Sequence, residues 1–477
     1  MPPAMPVRRL AFPFLALLAA FALASVGLRY HPRPGLAWLH HLTIWAVVLG
    51  SAIGCFVGYR RLRSAEDCAK TRRFLIVGSV PLWVLAVIIE PFDSLDLAGY
   101  LNNGRLPVVY GLNPYSTPVD RVPGWQSDPL LADNWHDTVC AYGFLFARLA
   151  AAVVTLAGEN REQTNLLFKL VNVAALGLTV WLVDRGCRQA GVSRSVGIFL
   201  VAWNPLVLLH GLSNGHNDLL AGLGLVAAIV AARGRLWWAV LPLLAATALI
   251  KYSTVPLVPL AMLFLWRRHG GVRTAIGAAI ATALVAVIAG PYLADGSTFE
   301  VSRNFSNVTT FLNSFGSLVM VPLQMLGKFV PGLAVAEPIA STALKAAGGL
   351  LLVGLTSALV GKRARSEEYS DGQFLHDVVL VQFAMIAIAS PKFYAWYLLM
   401  FWPTVAMLPE ASRLRRAILA VALAQMGSFT FLSRAHIVSP LVLLALPLAW
   451  IRELERRRFS PKIAASPRQP TLERKAA

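Results

Sequence analysis

The sequence predicts an all-α polytopic membrane protein, a bundle of about 14 transmembrane helices with a long outer loop after the third. Three observations predict it. The 477 residues are 57% hydrophobic and only 14% charged, where a soluble domain is about a quarter charged. The apolar residues fall in long blocks nearly free of charge, such as Ala11–Gly27, Phe74–Ile89, Ala275–Tyr292 and Ile437–Trp450. Each approaches the roughly 20 residues that cross a hydrocarbon core about 30 Å thick. The net charge of +19 is packed into short loops: Arg60, Arg61, Arg63, Lys70, Arg72 and Arg73; Arg267, Arg268 and Arg273; Lys362, Arg363 and Arg365; Arg413, Arg415 and Arg416. The tail adds Arg452, Arg456, Arg457, Arg458 and Lys462. Such loops mark the cytoplasmic face and meet anionic lipid, so the charge is assigned to topology and not to nucleic acid.

Taken in order, Arg8 and Arg9 place the N-terminus inside. The block near 10–28 is read as the first span and not as a cleaved signal, because no small-residue cleavage site stands out and about a dozen similar blocks follow. Spans near 41–58 and 74–90 flank the basic loop 59–73 and lead out to 91–140. That segment carries Asp93, Asp96, Asp120, Asp128, Asp133 and Asp137 against Arg105 and Arg121. Its Pro, Gly and Asn content reads as an irregular functional loop. The chain must be inside again by Arg185, Arg188 and Arg194, so only one of the next two apolar stretches spans. The stretch 141–157, with Arg148 inside it, is expected to lie at the outer interface or dip in, while 164–183 crosses. By the same parity 311–330 lies at the outer surface and 339–360 crosses. Regions 91–163 and 293–338 are thus periplasmic.

The remaining spans are expected near 195–212, 217–233, 236–250, 252–266, 274–292, 374–390, 393–409, 415–432 and 436–451. The short pair 236–250 and 252–266 sets the parity, since one tilted span there would reverse it. The transmembrane domain covers 1–458. The polar segment 459–477, with three prolines, reads as a disordered cytoplasmic tail. There is no internal repeat. Cys55, Cys68, Cys140 and Cys187 have no metal-ligand spacing and scatter over the membrane and both faces, which argues against a disulfide framework.

On this topology the ionisable groups at membrane depth collect at the outer boundary. They are Glu90, Asp93 and Asp96; the stretch Ser213-Asn214-Gly215-His216-Asn217-Asp218; Lys251-Tyr252-Ser253; Pro391-Lys392-Phe393-Tyr394-Ala395-Trp396-Tyr397; and Ser433-Arg434-Ala435-His436. Charge at membrane depth has to be explained. Carboxylates beside Lys and Arg under an apolar roof suit chemistry on a lipid-borne anion: a cation neutralises a phosphate and a carboxylate takes a proton. The plainer account makes each residue an interfacial cap or an aromatic-belt anchor.

The loop Pro91–Tyr115 makes the comparison specific. Asp96, then Tyr100 four residues on, then Asn113-Pro114-Tyr115, resembles the GT-C glycosyltransferases, and most closely the polyprenol-phosphate-mannose-dependent α-1,6-mannosyltransferases of bacterial cell envelopes. Later stretches continue it in order over roughly 90–405: Trp203-Asn204-Pro205-Leu206, His216-Asn217-Asp218, Ala248-Leu249-Ile250-Lys251, and Tyr394-Ala395-Trp396-Tyr397-Leu398-Leu399. Two places depart from the pattern. Phe144 follows Tyr142-Gly143 where the family has proline, and Ala395 stands where the family's proline precedes Trp396-Tyr397.

The resemblance implies a GT-C-type bundle in the bacterial inner membrane, with its site facing the periplasm. It implies a polyprenyl-phosphate sugar donor, mannose in the family, and a glycan or lipid acceptor. Asp96 is the expected general base, because a span end holds it more rigidly than Asp120 or Asp128 would be held. Lys251 and Lys392 are expected on the donor phosphate. Asp93, Tyr100, Asn113, Tyr115, His216, Asn217, Asp218, Tyr394 and Tyr397 are expected to bind donor or acceptor, the aromatics with Trp396 by stacking on sugar. No cofactor is expected. A divalent metal could sit on Glu90, Asp93 and Asp96 if one helix carried all three on a face. Two other readings stay open: a flippase for a lipid-linked sugar, which would place charge near the midplane of inverted repeats, and a GT-C enzyme using glucose or arabinose, or acting on lipid A or protein.

Overall fold

A computed structural model of the chain describes residues 13, 15–23, 37–92, 94–131, 135–294 and 310–428. Asp93, the Ser433–His436 stretch, the span at 436–451 and the tail at 459–477 lie outside the described residues. Among the described residues every element is helical, with only isolated bridges joining Lys392 to Leu312 and Asn313. Five helices are long and apolar enough to cross a membrane: Ala69–Ile88, Arg161–Ala190, Gly271–Leu293, Val335–Arg365 and Asp371–Ala389. Among the described residues the pair Arg194–Ala202 and Leu206–Ser213, bent by 44°, passes the same test together, as a broken span or a re-entrant loop. These helices turn large aliphatic side chains outward, among them Val77, Val84, Leu170, Leu178, Val287, Leu350 and Val353. Apolar windows with at most two charged residues and exposed aliphatics suit hydrocarbon on the outside and make this a multi-pass membrane protein.

The expected spans are not all single full-length helices. Trp237–Ala248 and Val258–His269 have 12 residues each, about 18 Å of rise, so neither crosses a bilayer core alone. The segment expected as a span over 393–409 is instead a 3-10 turn, Ala395–Met400, followed by the five-residue helix Trp402–Ala406. Pro403 lacks the donor that would carry an α-helix through, and the bulky aromatics before it pack onto the bundle core. The stretch 144–157 is a 14-residue helix. Its Arg148 donates to the carbonyls of Val287 and Ile288, both at 3.2 Å. Pro291 has no N–H to offer Val287, its partner four residues back, so Arg148 supplies the missing donor.

The bent pair shows why a polar motif sits in the bundle. Pro205 interrupts the helix, and the Asn204 carboxamide oxygen caps the Leu206 N–H at 2.8 Å. The Ala202 carbonyl then takes the Trp83 indole N–H at 3.0 Å. Trp203 and Trp402 donate likewise to Leu75 and Leu200, at 2.8 and 2.6 Å. The break is thereby satisfied internally, as a lipid-embedded break must be, and it redirects 206–213 toward His216.

The bundle has two distinct ends. At one, Arg63 meets Glu410 and Arg72 meets Asp67, each at 2.8 Å. There too Asp67 accepts from Ser195 and the Arg194 backbone, Arg267 donates to carbonyls at 364, 366 and 367, and Arg268 pairs with Asp371. The helix Ala69–Ile88, 20 residues long, runs about 30 Å from that basic end to the other. There Lys169 donates to the Val87 and Ile89 carbonyls, at 3.0 and 2.6 Å, and Ser213 to Ala86 at 2.8 Å. These bonds hold the start of the segment that delivers Asp96.

Candidate functional site

The site grows from a helix start. The helix Ala69–Ile88 ends before Glu90-Pro91, since proline disfavours helix in the residue before it. A new helix then begins at Asp96 and runs to Val109. Glu90 and Asp96 therefore lie on different elements, and the single helical face expected to carry them does not exist. Among the described residues no three His, Cys, Asp or Glu side chains gather into a set that could hold a metal ion. The carboxylate of Asp96 sits in the first turn of its helix, where unpaired N–H groups favour negative charge.

His216 reaches Asp96 from a turn 120 residues away, its Nδ1 lying 3.1 Å from Asp96 Oδ2. Gly215 makes that turn possible. Its φ is +72°, and a Cβ there would stand 2.7 Å from a Leu97 methyl, so only glycine lets the two segments close. The pair is asymmetric: the His216 side chain is 0% exposed and that of Asp96 is 19% exposed. Burial pushes the Asp96 carboxyl up, but the His216 hydrogen bond, the charges of His216 and Lys251, and Ser94 outweigh it and hold it below the ordinary carboxylate range. Asp96 is thus ionised at neutral pH, with one oxygen oriented by His216 and the side chain part-exposed.

Behind His216 the rings form a stack. Trp396 lies parallel to the imidazole, with centroids 4.2 Å apart and planes within 11°, and Tyr394 lies on Trp396 at 4.3 Å and 5°. Asn172 donates to the carbonyls of Gly211 and His216, at 2.8 and 3.1 Å, which fixes the His216 turn from a third helix. The sequence reading had Trp396 as a sugar platform; here its ring is stacked on His216 and Tyr394. Asn172 gave no signal in the sequence, being one polar residue inside a span.

The remaining expected residues divide into those at the opening and those beneath it. Tyr100 is buried among Tyr142, Phe146 and Phe168, and its hydroxyl accepts the Asn217 N–H at 3.1 Å. Asn217 is buried as well, with neither amide atom partnered among the described residues. Asp218 is buried and accepts from Lys251 Nζ at 2.6 Å. Lys251, expected on a phosphate, is therefore already neutralised, and its ammonium also lies 4.5 Å from the centre of the Tyr397 ring. Asn113 and Tyr115, expected to touch ligand, are locks. The Asn113 amide donates to Tyr292 O at 3.1 Å, and Tyr115, fully buried, donates to Tyr142 O at 2.9 Å. Tyr252 donates to the same carbonyl at 3.2 Å. Gly143 then lies so close to the Leu249 carbonyl that a Cβ would stand 2.2 Å from it. The Asn-Pro-Tyr, Tyr-Gly and Lys-Tyr motifs are thus one corner that seats Lys251.

Lys392 differs from Lys251. It is half-buried in a loop whose backbone pairs with 312–313, and burial pulls its ammonium below the ordinary lysine value. No carboxylate pairs with it among the described residues. It stands two residues before Tyr394, at the end of the ring stack that reaches His216.

A carboxylate–imidazole pair, a lysine paired with Asp218 and a second lysine with no carboxylate partner among the described residues gather at one end of a polytopic helical membrane protein. The chain belongs to the alpha-(1->6)-mannopyranosyltransferase family: the model of that family's N-terminal domain matches residues 13–268. The chain is 27% identical over 277 residues to alpha-(1->6)-mannopyranosyltransferase A of Mycobacterium tuberculosis, covering 55% of this chain and 52% of that protein. It is 31% identical over 159 residues to a Mycolicibacterium smegmatis protein named a probable alpha-(1->6)-mannopyranosyltransferase, covering 32% and 28% of the two chains. The Corynebacterium glutamicum alpha-(1->6)-mannopyranosyltransferase A is 26% identical over 175 residues, covering 36% and 34%. The match thus spans about half the length of the first of these relatives and less of the other two. No solved structure matches the chain. The resemblance read from the ordered motifs holds.

Proposed function

We propose that this protein is a membrane glycosyltransferase that moves mannose from a polyprenyl-phosphate donor to a hydroxyl of a cell-envelope glycan or lipid. The observation that carries the reading is the Asp96–His216 pair, a part-exposed carboxylate with one oxygen held by a buried imidazole. The acceptor oxygen attacks the anomeric carbon, the bond from that carbon to the phosphate oxygen breaks, and the phosphate leaves with the electron pair. Asp96 takes the hydroxyl proton. Lys392, with no carboxylate partner among the described residues, faces the leaving phosphate, and a monophosphate so neutralised asks for no metal. Asp96 and not His216 meets the acceptor, because the imidazole is closed off. Incubating the purified protein with radiolabelled polyprenyl-phosphate mannose, glucose and arabinose and a mannoside acceptor tests the reading. Transfer from the mannose donor is expected, and consumption of none of the three donors defeats it. Lys392→Ala should raise the half-saturating donor concentration with the acceptor saturating; an unchanged donor titration removes Lys392 from the site.

In this reading the site end faces the periplasm. Support comes from the placement of the short basic loops at the opposite end of the bundle. A cysteine at Ser116, at the site end, should react with an impermeant thiol reagent on intact spheroplasts, and one at Ser64 should not. The reverse labelling would invert the protein and rule out a donor presented from the outer leaflet.

A further inference from the structure

We infer that Trp135 is the platform on which the acceptor sugar stacks beside Asp96, an assignment that rests on the glycosyltransferase reading. Trp135 is 54% exposed. Its φ is +62°, in the left-handed region where a bulky residue is a genuine outlier. Its carbonyl accepts from the Thr138 N–H and hydroxyl, which pins the turn that holds this backbone. The indole lies over Gly99: a Cβ on that glycine would stand 3.5 Å from Trp135 Cδ1. Gly99 is three residues after Asp96 on the same helix, so the two share a face about one turn apart. Asn103, one further turn along that face, has a side-chain amide with no hydrogen bond among the described residues. One helix face therefore presents, in order, the part-exposed carboxylate, a glycine covered by an exposed indole, and the largely buried amide of Asn103. That is the chemistry of a sugar site: an apolar ring face stacks on an aromatic, and hydroxyls meet a base and an amide. Strained backbone persists where the surrounding structure insists on a particular side chain, and here it presents a large aromatic to solvent instead of burying it.

The test is steady-state transfer to a soluble α-1,6-mannotriose, in detergent and in nanodiscs, with Trp135→Gly and Trp135→Phe. Trp135→Gly should raise the half-saturating mannotriose concentration about three- to tenfold, the range that one aromatic contact carries. It should leave the donor half-saturation unchanged. Its thermal midpoint should match or exceed wild type, because glycine relieves the positive φ. Trp135→Phe should recover part of the acceptor affinity. A lowered thermal midpoint with unchanged mannotriose half-saturation makes the indole structural and overturns the assignment. A loss seen only in nanodiscs, equal for donor and acceptor, makes it a membrane anchor and overturns it equally. Absence of transfer by the wild-type protein itself would instead count against the glycosyltransferase reading. Binding of mannotriose to Asp96→Asn, with and without Trp135, then decides the platform separately.

Discussion

Replacing Asp96 with Asn should lower turnover about 10²–10⁴-fold, the usual cost of losing a general base. The protein should still fold and hold donor. Asparagine keeps the shape, and its amide oxygen can still accept from His216 Nδ1, which lies 3.1 Å from the carboxylate. What is lost is the proton affinity of the carboxylate. Asp93→Asn should cost clearly less. The pH profile carries an independent prediction. Asp96 must be ionised to act, and its carboxyl is held below the ordinary range. The acid limb of the rate should therefore fall below the pH near 3.9 where a free Asp titrates. His216→Phe keeps a ring against Trp396 but removes the hydrogen bond and the charge that hold the carboxyl down. Burial, which raises it, remains, so the acid limb should move to higher pH as the rate falls. Rate measurements at saturating donor across pH check both. If Asp96→Asn stays near wild type while Asp93→Asn is dead, the base is misassigned. If both stay active, the transfer chemistry loses its support and a flippase gains it.

Lys251→Ala should destabilise the protein by about 3–5 kcal/mol, the usual cost of stripping one partner from a buried ion pair. Asp218 is left with its carboxylate at 1% exposure, its Oδ1 no longer paired at 2.6 Å and its Oδ2 already without a partner among the described residues. The cation over the Tyr397 ring is lost as well. The double variant Lys251→Met with Asp218→Leu should regain most of the stability, because two apolar side chains leave no buried charge. Thermal melts in detergent measure all three proteins. If Lys251→Ala melts like wild type, the pair is not structural, and Lys251 returns to the donor phosphate, where the residue pattern had first placed it.

The pairing of Lys251 with Asp218 shows where reading from sequence stops. Charge-free blocks, basic loops and the order of the motifs are local along the chain, and each is visible in a window of about 20 residues. They were enough for the multi-pass helical class, the family, and Asp96 as the residue to watch. The same windows read 393–409 as a span, because hydropathy registers apolar content and misses that Pro403 and a run of bulky aromatics cannot extend as one α-helix. They do not reveal the partners of Arg148, the Val287 and Ile288 carbonyls, which lie 139 and 140 residues away.

Residue type by itself determined the chemistry available: carboxylates, lysines and aromatics at the ends of apolar helices. Tertiary structure alone decided which of them meet. It brought His216 to Asp96 across 120 residues, turned Tyr100, Asn113 and Tyr115 inward as hydrogen-bonded locks, and neutralised Lys251 while leaving Lys392 unpaired among the described residues. It also set Trp135 in a left-handed backbone over Gly99. The physical reason is common to all of these. A side chain's role depends on what desolvates and pairs it, and those partners come from distant segments whose approach is set by packing, down to the two glycines at 143 and 215 that let the segments close.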